Sequence, residues 1–116
     1  MAYVDGFLIA VPRKKMKTYV KMARMGKRLW MKHGALDYKE CVADDIAAKW
    51  GTTPFARILK LKPGETVVFS YIVYKSRAHR DRVNAKVMPD VSGNPSDMPF
   101  TMKRMTYGGF KVIVSS

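Results

Sequence analysis

The segment TVVFSYIVY, residues 66–74, decides the fold because it has the composition of a strand with two apolar sides. Apolar residues form two alternating rows along it: Val67, Phe69, Tyr71 and Val73 on one side, and Val68, Ile72 and Tyr74 on the other. A helix follows at once, because Ser76 occupies the position of an N-cap and Pro89 ends the stretch that can stay helical. A strand and a helix in succession therefore open the second half of the chain.

Three further strands and one further helix flank this pair. YVDGFLIAV, residues 3–11, is rich in aromatic and branched residues, and residues 35–43 alternate as a half-exposed strand does. Apolar residues three and four positions apart predict a helix over residues 14–33. MTYGGFKVIV, residues 105–114, predicts the last strand, with a bulge or bend at its paired glycines.

The order strand, helix, strand, strand, helix, strand is that of the ferredoxin-like βαββαβ fold, in the α+β class. It predicts a four-stranded antiparallel sheet with two helices on one face. Residues 57–62 alternate well enough to add a short strand, and VSGNPSD, residues 91–97, predicts a loop. A chain of 116 residues has the size of one domain, so residues 1–116 are expected to form a single unit.

The sheet is expected to be apolar on the face away from the helices as well. Residues 66–74 and 3–11 both carry apolar side chains on their two sides, and a large exposed apolar face marks a contact surface. The surface fits either an identical subunit, packed sheet against sheet, or RNA bases stacked as in RNA-recognition motifs. That module needs a basic-glycine pair on its third strand, and residues 66–74 contain neither glycine nor charge. The subunit contact is therefore favoured.

Four strings resemble a family of small bacterial proteins of unknown function. They are YVDGFLIAVP, KHGALDYKECVADD, KPGETVVFSYIVYKSRAHRDRVNAKVM and MPFTMKRMTYGGFKVIV, which together cover nearly the whole chain. The resemblance implies a dimeric α+β barrel, in which two ferredoxin-like subunits face each other as a homodimer. Related proteins of that superfamily bind substrates between sheet and helices. Some of them are cofactor-independent oxygenases or isomerases, which makes an enzyme of that kind one alternative.

Composition limits the cellular setting. No apolar run reaches the ~18 residues of a membrane span, and the first basic residues follow the apolar start instead of preceding it as in a signal peptide. A cytoplasmic protein with no membrane partner is the expectation. Cys41 is the only cysteine and is expected in the core. The two histidines and scattered acids lack ligand spacing, so no metal and no cofactor are predicted.

The candidate ligand site centres on the second helix. His79, Arg80 and Asn84 fall near its packing seam, where polar groups need partners that a cleft or a ligand supplies. Tyr71 and Trp50 are further candidates for a pocket between sheet and helices. The ligand expected there is small and partly apolar or anionic. The competing interpretation is that these residues make only structural hydrogen bonds and packing contacts.

The first helix carries a basic stripe, defined here as Lys17, Lys21, Arg24, Arg28 and Lys32. The whole chain has 22 Lys and Arg against nine Asp and Glu, a net charge of +13. Such a charge attracts polyanions without selecting among them. Nonspecific nucleic-acid binding through this stripe is therefore a second alternative, beside an ordinary solvated helix face.

Overall fold

The computed structural model describes residues 1–91 and 98–116. Its strands are β1 (Tyr3–Pro12), β2 (Asp37–Val42), β3 (Glu65–Tyr74) and β4 (Met105–Lys111). Its α-helices are α1 (Met16–Lys32), the single turn α2 (Phe55–Ile58) and α3 (Arg77–Val87). The loop predicted over residues 91–97 lies outside the described residues except for Val91.

The four strands form one antiparallel sheet in the order β2-β3-β1-β4. This order and the two long helices are those of the ferredoxin-like fold, as predicted. In the central pair, Tyr3 lies opposite Tyr74 and Ile9 lies opposite Val68. The N-cap prediction also holds, because the backbone N–H of His79 donates a hydrogen bond to Ser76 Oγ at 3.1 Å.

The side of the sheet that faces α1 and α3, the helical face, carries two hydrophobic clusters. The first joins the sheet to α3 and consists of Tyr3, Ala35, Ile72, Tyr74, Val83 and Val87. The second joins the sheet to α1 and consists of Ile9, Val11, Tyr19, Ala23, Val68 and Phe100. Phe7, in the middle of β1, packs against both clusters. The core is therefore divided, and the region between its halves contains the candidate site.

The opposite side of the sheet, the outer face, is only partly covered. Phe55 and Ile46 from the β2–β3 connection line a shallow depression over one end of this face. Further along, Phe69 is 46% exposed and Phe110 is 62% exposed. Cys41 lies on this face as well and is exposed, so the expectation of a core cysteine is wrong.

Two local predictions are wrong. The stretch 57–62 is not a strand: α2 ends in a turn in which the backbone N–H of Leu61 donates to Ala56 O and Lys60 has φ 50°. Gly108 and Gly109 make no bulge, since β4 stays in register with β1 through both residues. Gly109 is needed for space instead, because a Cβ at this position would collide with the Tyr3 ring.

Candidate functional site

A cavity of about 950 Å³ lies between the helical face of the sheet, α1 and the segment that leads into β4. Its lining is mainly apolar and includes Phe7, Ile9, Leu29, Trp30, Ile72 and Phe100. Six of the nine methionines also line it: Met22, Met25, Met88, Met98, Met102 and Met105. Methionine side chains are flexible and polarisable, so this wall can adapt to different apolar shapes.

Glu40 is the polar centre of the cavity. The pleat of β2 directs Tyr38 and Glu40 to the helical face, opposite Ile72 and Ser70 of β3. Tyr19 Oη donates a hydrogen bond to Glu40 Oε1 at 2.7 Å, and Tyr38 Oη donates one to Oε2 at 2.7 Å. Both carboxylate oxygens are thus held by phenols from two different elements.

The two phenols are strong, permanent donors. Burial raises the pKa of Tyr19 and of Tyr38, and the negative charge of Glu40 raises both pKa values further. The hydroxyls therefore stay protonated across the physiological range and keep Glu40 oriented towards the cavity. Glu40 was missing from the residues predicted for the site.

Asp5 and Arg80 form a buried ion pair beside the cavity. Arg80 Nη1 donates to Asp5 Oδ1 at 2.8 Å and to Tyr107 Oη at 2.6 Å, and its guanidinium lies 5.0 Å from the centre of the Tyr3 ring. Arg80 Nε donates to Asp81 at 2.8 Å. Burial lowers the pKa of Arg80, but the charge of Asp5 and the hydrogen bond to Asp81 outweigh it and leave that pKa raised. Nε and Nη1 of Arg80 thus both donate to protein partners.

Asn84 links α3 to the neighbouring elements. Its Oδ1 accepts a hydrogen bond from Trp30 Nε1 at 3.0 Å and a longer one from Tyr74 Oη at 3.4 Å. It lines the cavity together with Trp30. The structure therefore brings Asn84 and Asp5, the partner of Arg80, to the same cavity.

His79 lies outside the cavity, at the start of α3. Its Nδ1 accepts a hydrogen bond from the backbone N–H of Lys75 at 2.9 Å. Its edge also packs on Tyr74, with the ring centroids 5.9 Å apart. Burial and the positive charges of Arg82 and Lys75 lower the pKa of His79 below its usual 6.5, so the ring is held neutral.

The neutral state of His79 gives the stability a pH dependence. The unfolded chain takes up a proton on His79 at a higher pH than the folded chain, so this contribution is present above pH 6.5 and is lost as pH falls below it. We expect the melting temperature of the native chain to fall more between pH 7.5 and 5 than that of His79→Gln. Thermal unfolding followed by circular dichroism measures this difference, and parallel profiles would contradict it.

Two other predicted site residues lie elsewhere. Tyr71 points to the outer face of the sheet, where it is opposite Gly6 of β1 and packs 6.1 Å from the Phe69 ring. Trp50 lies in the β2–β3 connection and is 93% exposed. Neither lines the cavity, so the structure does not bring them together with Asn84.

The basic stripe is on the solvent side of α1. All five of its side chains are exposed, and among the described residues none of them forms an ion pair. Arg28 also reaches the rim of the cavity. Nonspecific nucleic-acid binding through this stripe stays a prediction.

Two further features, a membrane-spanning helix and a metal-binding group, were predicted to be absent and can be compared with the described residues. No helix in residues 1–91 or 98–116 is long and apolar enough to cross a membrane. Within the same residues, no three His, Cys, Asp or Glu side chains are grouped so that they could hold a metal ion.

The sequence matches a family described as "Protein of unknown function (DUF1428)" over residues 2–102. The chain belongs to this family. It is similar to the "Uncharacterized protein YbaA" of Escherichia coli strain K12, with 42% identity over 116 residues that cover 98% of each chain. YbaA of Shigella flexneri shows the same 42% identity and 98% coverage. The predicted membership of a small bacterial family is therefore confirmed.

One solved structure is similar over the full length. It is a crystal structure described as a dimeric ferredoxin-like protein from an uncultured marine organism, which matches 100% of both chains with a TM-score of 0.64 and 15% identity. At that identity the likeness concerns the fold alone. It agrees with the strand order of the sheet and confirms the predicted fold class.

Proposed function

We propose that this protein binds a small, largely apolar molecule in the cavity between the helical face of the sheet and α1. The cavity itself is the observation that carries the proposal. Its volume of about 950 Å³ is within the range of ligand sites, which are mostly apolar with a few placed polar groups. Glu40, Ser70 and Asn84 are such polar groups.

The division of the core into two clusters supports the interpretation of the cavity as a binding site and not as a packing defect. Small domains usually fill their interiors, and empty apolar space lowers stability. Here a gap lies between two hydrophobic clusters, and Phe7 contacts both. A bound molecule would restore the missing contacts and join α1 to the sheet.

We further propose that the protein works as a homodimer that packs through the outer face. Phe69 and Phe110 are exposed there, and an apolar face of this kind is characteristic of an interface. The description of the similar structure as dimeric supports a dimer, whichever face forms its interface. The ligand cavity is on the helical face, so each subunit would keep its own site. Catalysis of the oxygenase or isomerase kind stays a prediction.

A neutral probe tests the cavity. We expect 4-phenylbutan-1-ol at ten times its dissociation constant to stabilise the native chain by about 1.4 kcal/mol. For a domain of this size the melting temperature should then rise by about 4 °C or more, which differential scanning fluorimetry measures.

Ser70→Leu provides the matching variant. Ser70 is buried on the helical face and lines the cavity, so a leucine side chain would occupy the space of the probe. Thr18→Leu makes the same type of change on the exposed side of α1 and serves as the control. The shift should vanish only in Ser70→Leu. An equal shift in both variants would place the probe outside the cavity and refute the proposed function.

A further inference from the structure

The cavity lining is richer in acids than the rest of the protein. The whole chain has 22 basic and nine acidic residues. Three of the nine acids line the cavity, namely Asp5, Glu40 and Asp90, whereas only one of the 22 basic residues, Arg28, is among the described lining residues. This enrichment of acids in a protein of charge +13 favours a ligand that is not an anion.

Two of these acids already have a basic partner. Asp5 is paired with Arg80 at 2.8 Å, and Asp90 Oδ2 lies 2.8 Å from His33 Nε2. Glu40 has only the two phenols. Among the described residues, the carboxylates without an ion pair are Glu40 and Asp44, and Asp44 is exposed to solvent. Glu40 is thus the one cavity carboxylate with no basic side chain or histidine at ion-pair distance.

The hydrogen bonds of Glu40 leave acceptor capacity. An ionised carboxylate has about four lone-pair positions, and Tyr19 and Tyr38 use one on each oxygen. The neighbouring walls are aromatic, with the Trp30 and Tyr38 ring centroids 6.3 Å apart and those of Tyr19 and Phe100 5.9 Å apart. Aromatic faces attract cations, so carboxylate and rings favour the same kind of group.

We infer that the ligand is an organic cation: an apolar body that carries a protonated amine, with the ammonium group bound to Glu40. This inference rests on the proposed function and specifies its ligand. The apolar body would contact the methionines and Phe7, while the ammonium group donates to the free lone pairs of the Glu40 carboxylate. Tyr19 and Tyr38 act as positioning residues that hold this carboxylate.

The positive surface does not prevent such binding. Surface charges are screened over about 8 Å at physiological ionic strength. A contact between ammonium and Glu40 would form inside a largely apolar cavity, where the interaction is stronger than in water. Except for Arg28 at the cavity rim, the Lys and Arg side chains should therefore influence the ammonium group less than Glu40 does.

Three probes with the same phenylbutyl body test the inference: 4-phenylbutylammonium, 4-phenylbutan-1-ol and 5-phenylpentanoate, each titrated calorimetrically into the native chain. We expect the ammonium probe to bind about tenfold more tightly than the alcohol, and the carboxylate more weakly than the alcohol. Glu40→Gln should remove the advantage of the ammonium probe over the alcohol. Asp90→Asn, which removes a carboxylate that His33 already pairs with, should keep the preference.

The outcomes separate the two proposals. If the alcohol binds and the ammonium probe has no advantage, or keeps its full advantage in Glu40→Gln, the cationic ligand is refuted and the cavity site remains. If the alcohol fails to bind the native chain, the proposed function itself is refuted. A cooperative melt followed by circular dichroism shows that Glu40→Gln is folded.

Discussion

Replacing Arg80 by leucine is expected to lower the free energy of unfolding by about 3–5 kcal/mol, because the substitution leaves Asp5 charged and unpaired inside the protein. The side chain of Asp5 is 2% exposed and that of Arg80 is 12% exposed, so the carboxylate is largely shielded from bulk water. The variant also loses the hydrogen bond to Tyr107. Urea unfolding measures the difference directly.

Two further variants separate the effect of breaking the ion pair from the general effect of removing an arginine from α3. Asp5→Asn combined with Arg80→Leu removes both charges and should recover a large part of the lost stability. Arg77→Leu, an exposed change on the same helix, should stay within about 0.5 kcal/mol of the native chain. A loss below about 1 kcal/mol in Arg80→Leu would show that the pair does not hold α3 on the sheet.

Phe69→Glu is expected to convert the proposed dimer into single chains of 13.2 kDa. Phe69 is half-exposed on the outer face, and a two-fold interface there would bury two new carboxylates without partners. Burying an unpaired charge costs several kcal/mol, which is enough to dissociate a contact of micromolar affinity.

Analytical ultracentrifugation at micromolar concentration measures the mass of the particle that each variant forms in solution. Val20→Glu is the matched control, because Val20 lies on the exposed side of α1, away from the outer face. The native chain and the control should sediment as dimers. A native chain that sediments as a monomer would contradict the homodimer and leave the outer face available for another partner.

The fold was predictable because it depends on patterns within single segments. Each of three local patterns predicts one helix or strand by itself: the two apolar rows of residues 66–74, the N-cap at Ser76 and the spacing of apolar residues in α1. The failures concern details that depend on three-dimensional neighbours. Gly109 is required by the Tyr3 ring across the sheet, and nothing near Gly109 in sequence indicates this.

The site was predictable only in part, because it depends on strand register. An apolar strand does not reveal which row faces the helices, so Tyr71 was expected under the helices and lies on the outer face. Glu40 interrupts the apolar row of β2, and a charge at a position that should be buried was the available signal for a site. The two phenols that donate to Glu40 belong to Tyr19 and Tyr38. Tyr19 is on α1, so its contact with Glu40 could be recognised only once α1 was known to lie over β2.

The cavity is the central claim, and the methyl spectrum of ¹³C-methionine during titration with 4-phenylbutan-1-ol tests it most directly. The nine methionines divide into six that line the cavity and three that do not, Met1, Met16 and Met31. Binding in the cavity predicts that signals of Met22, Met98 and Met105, and of the other lining methionines, move with the probe while Met1 and Met31 keep their positions. Saturable binding that leaves the lining methionines unchanged would contradict a ligand site between the sheet and α1.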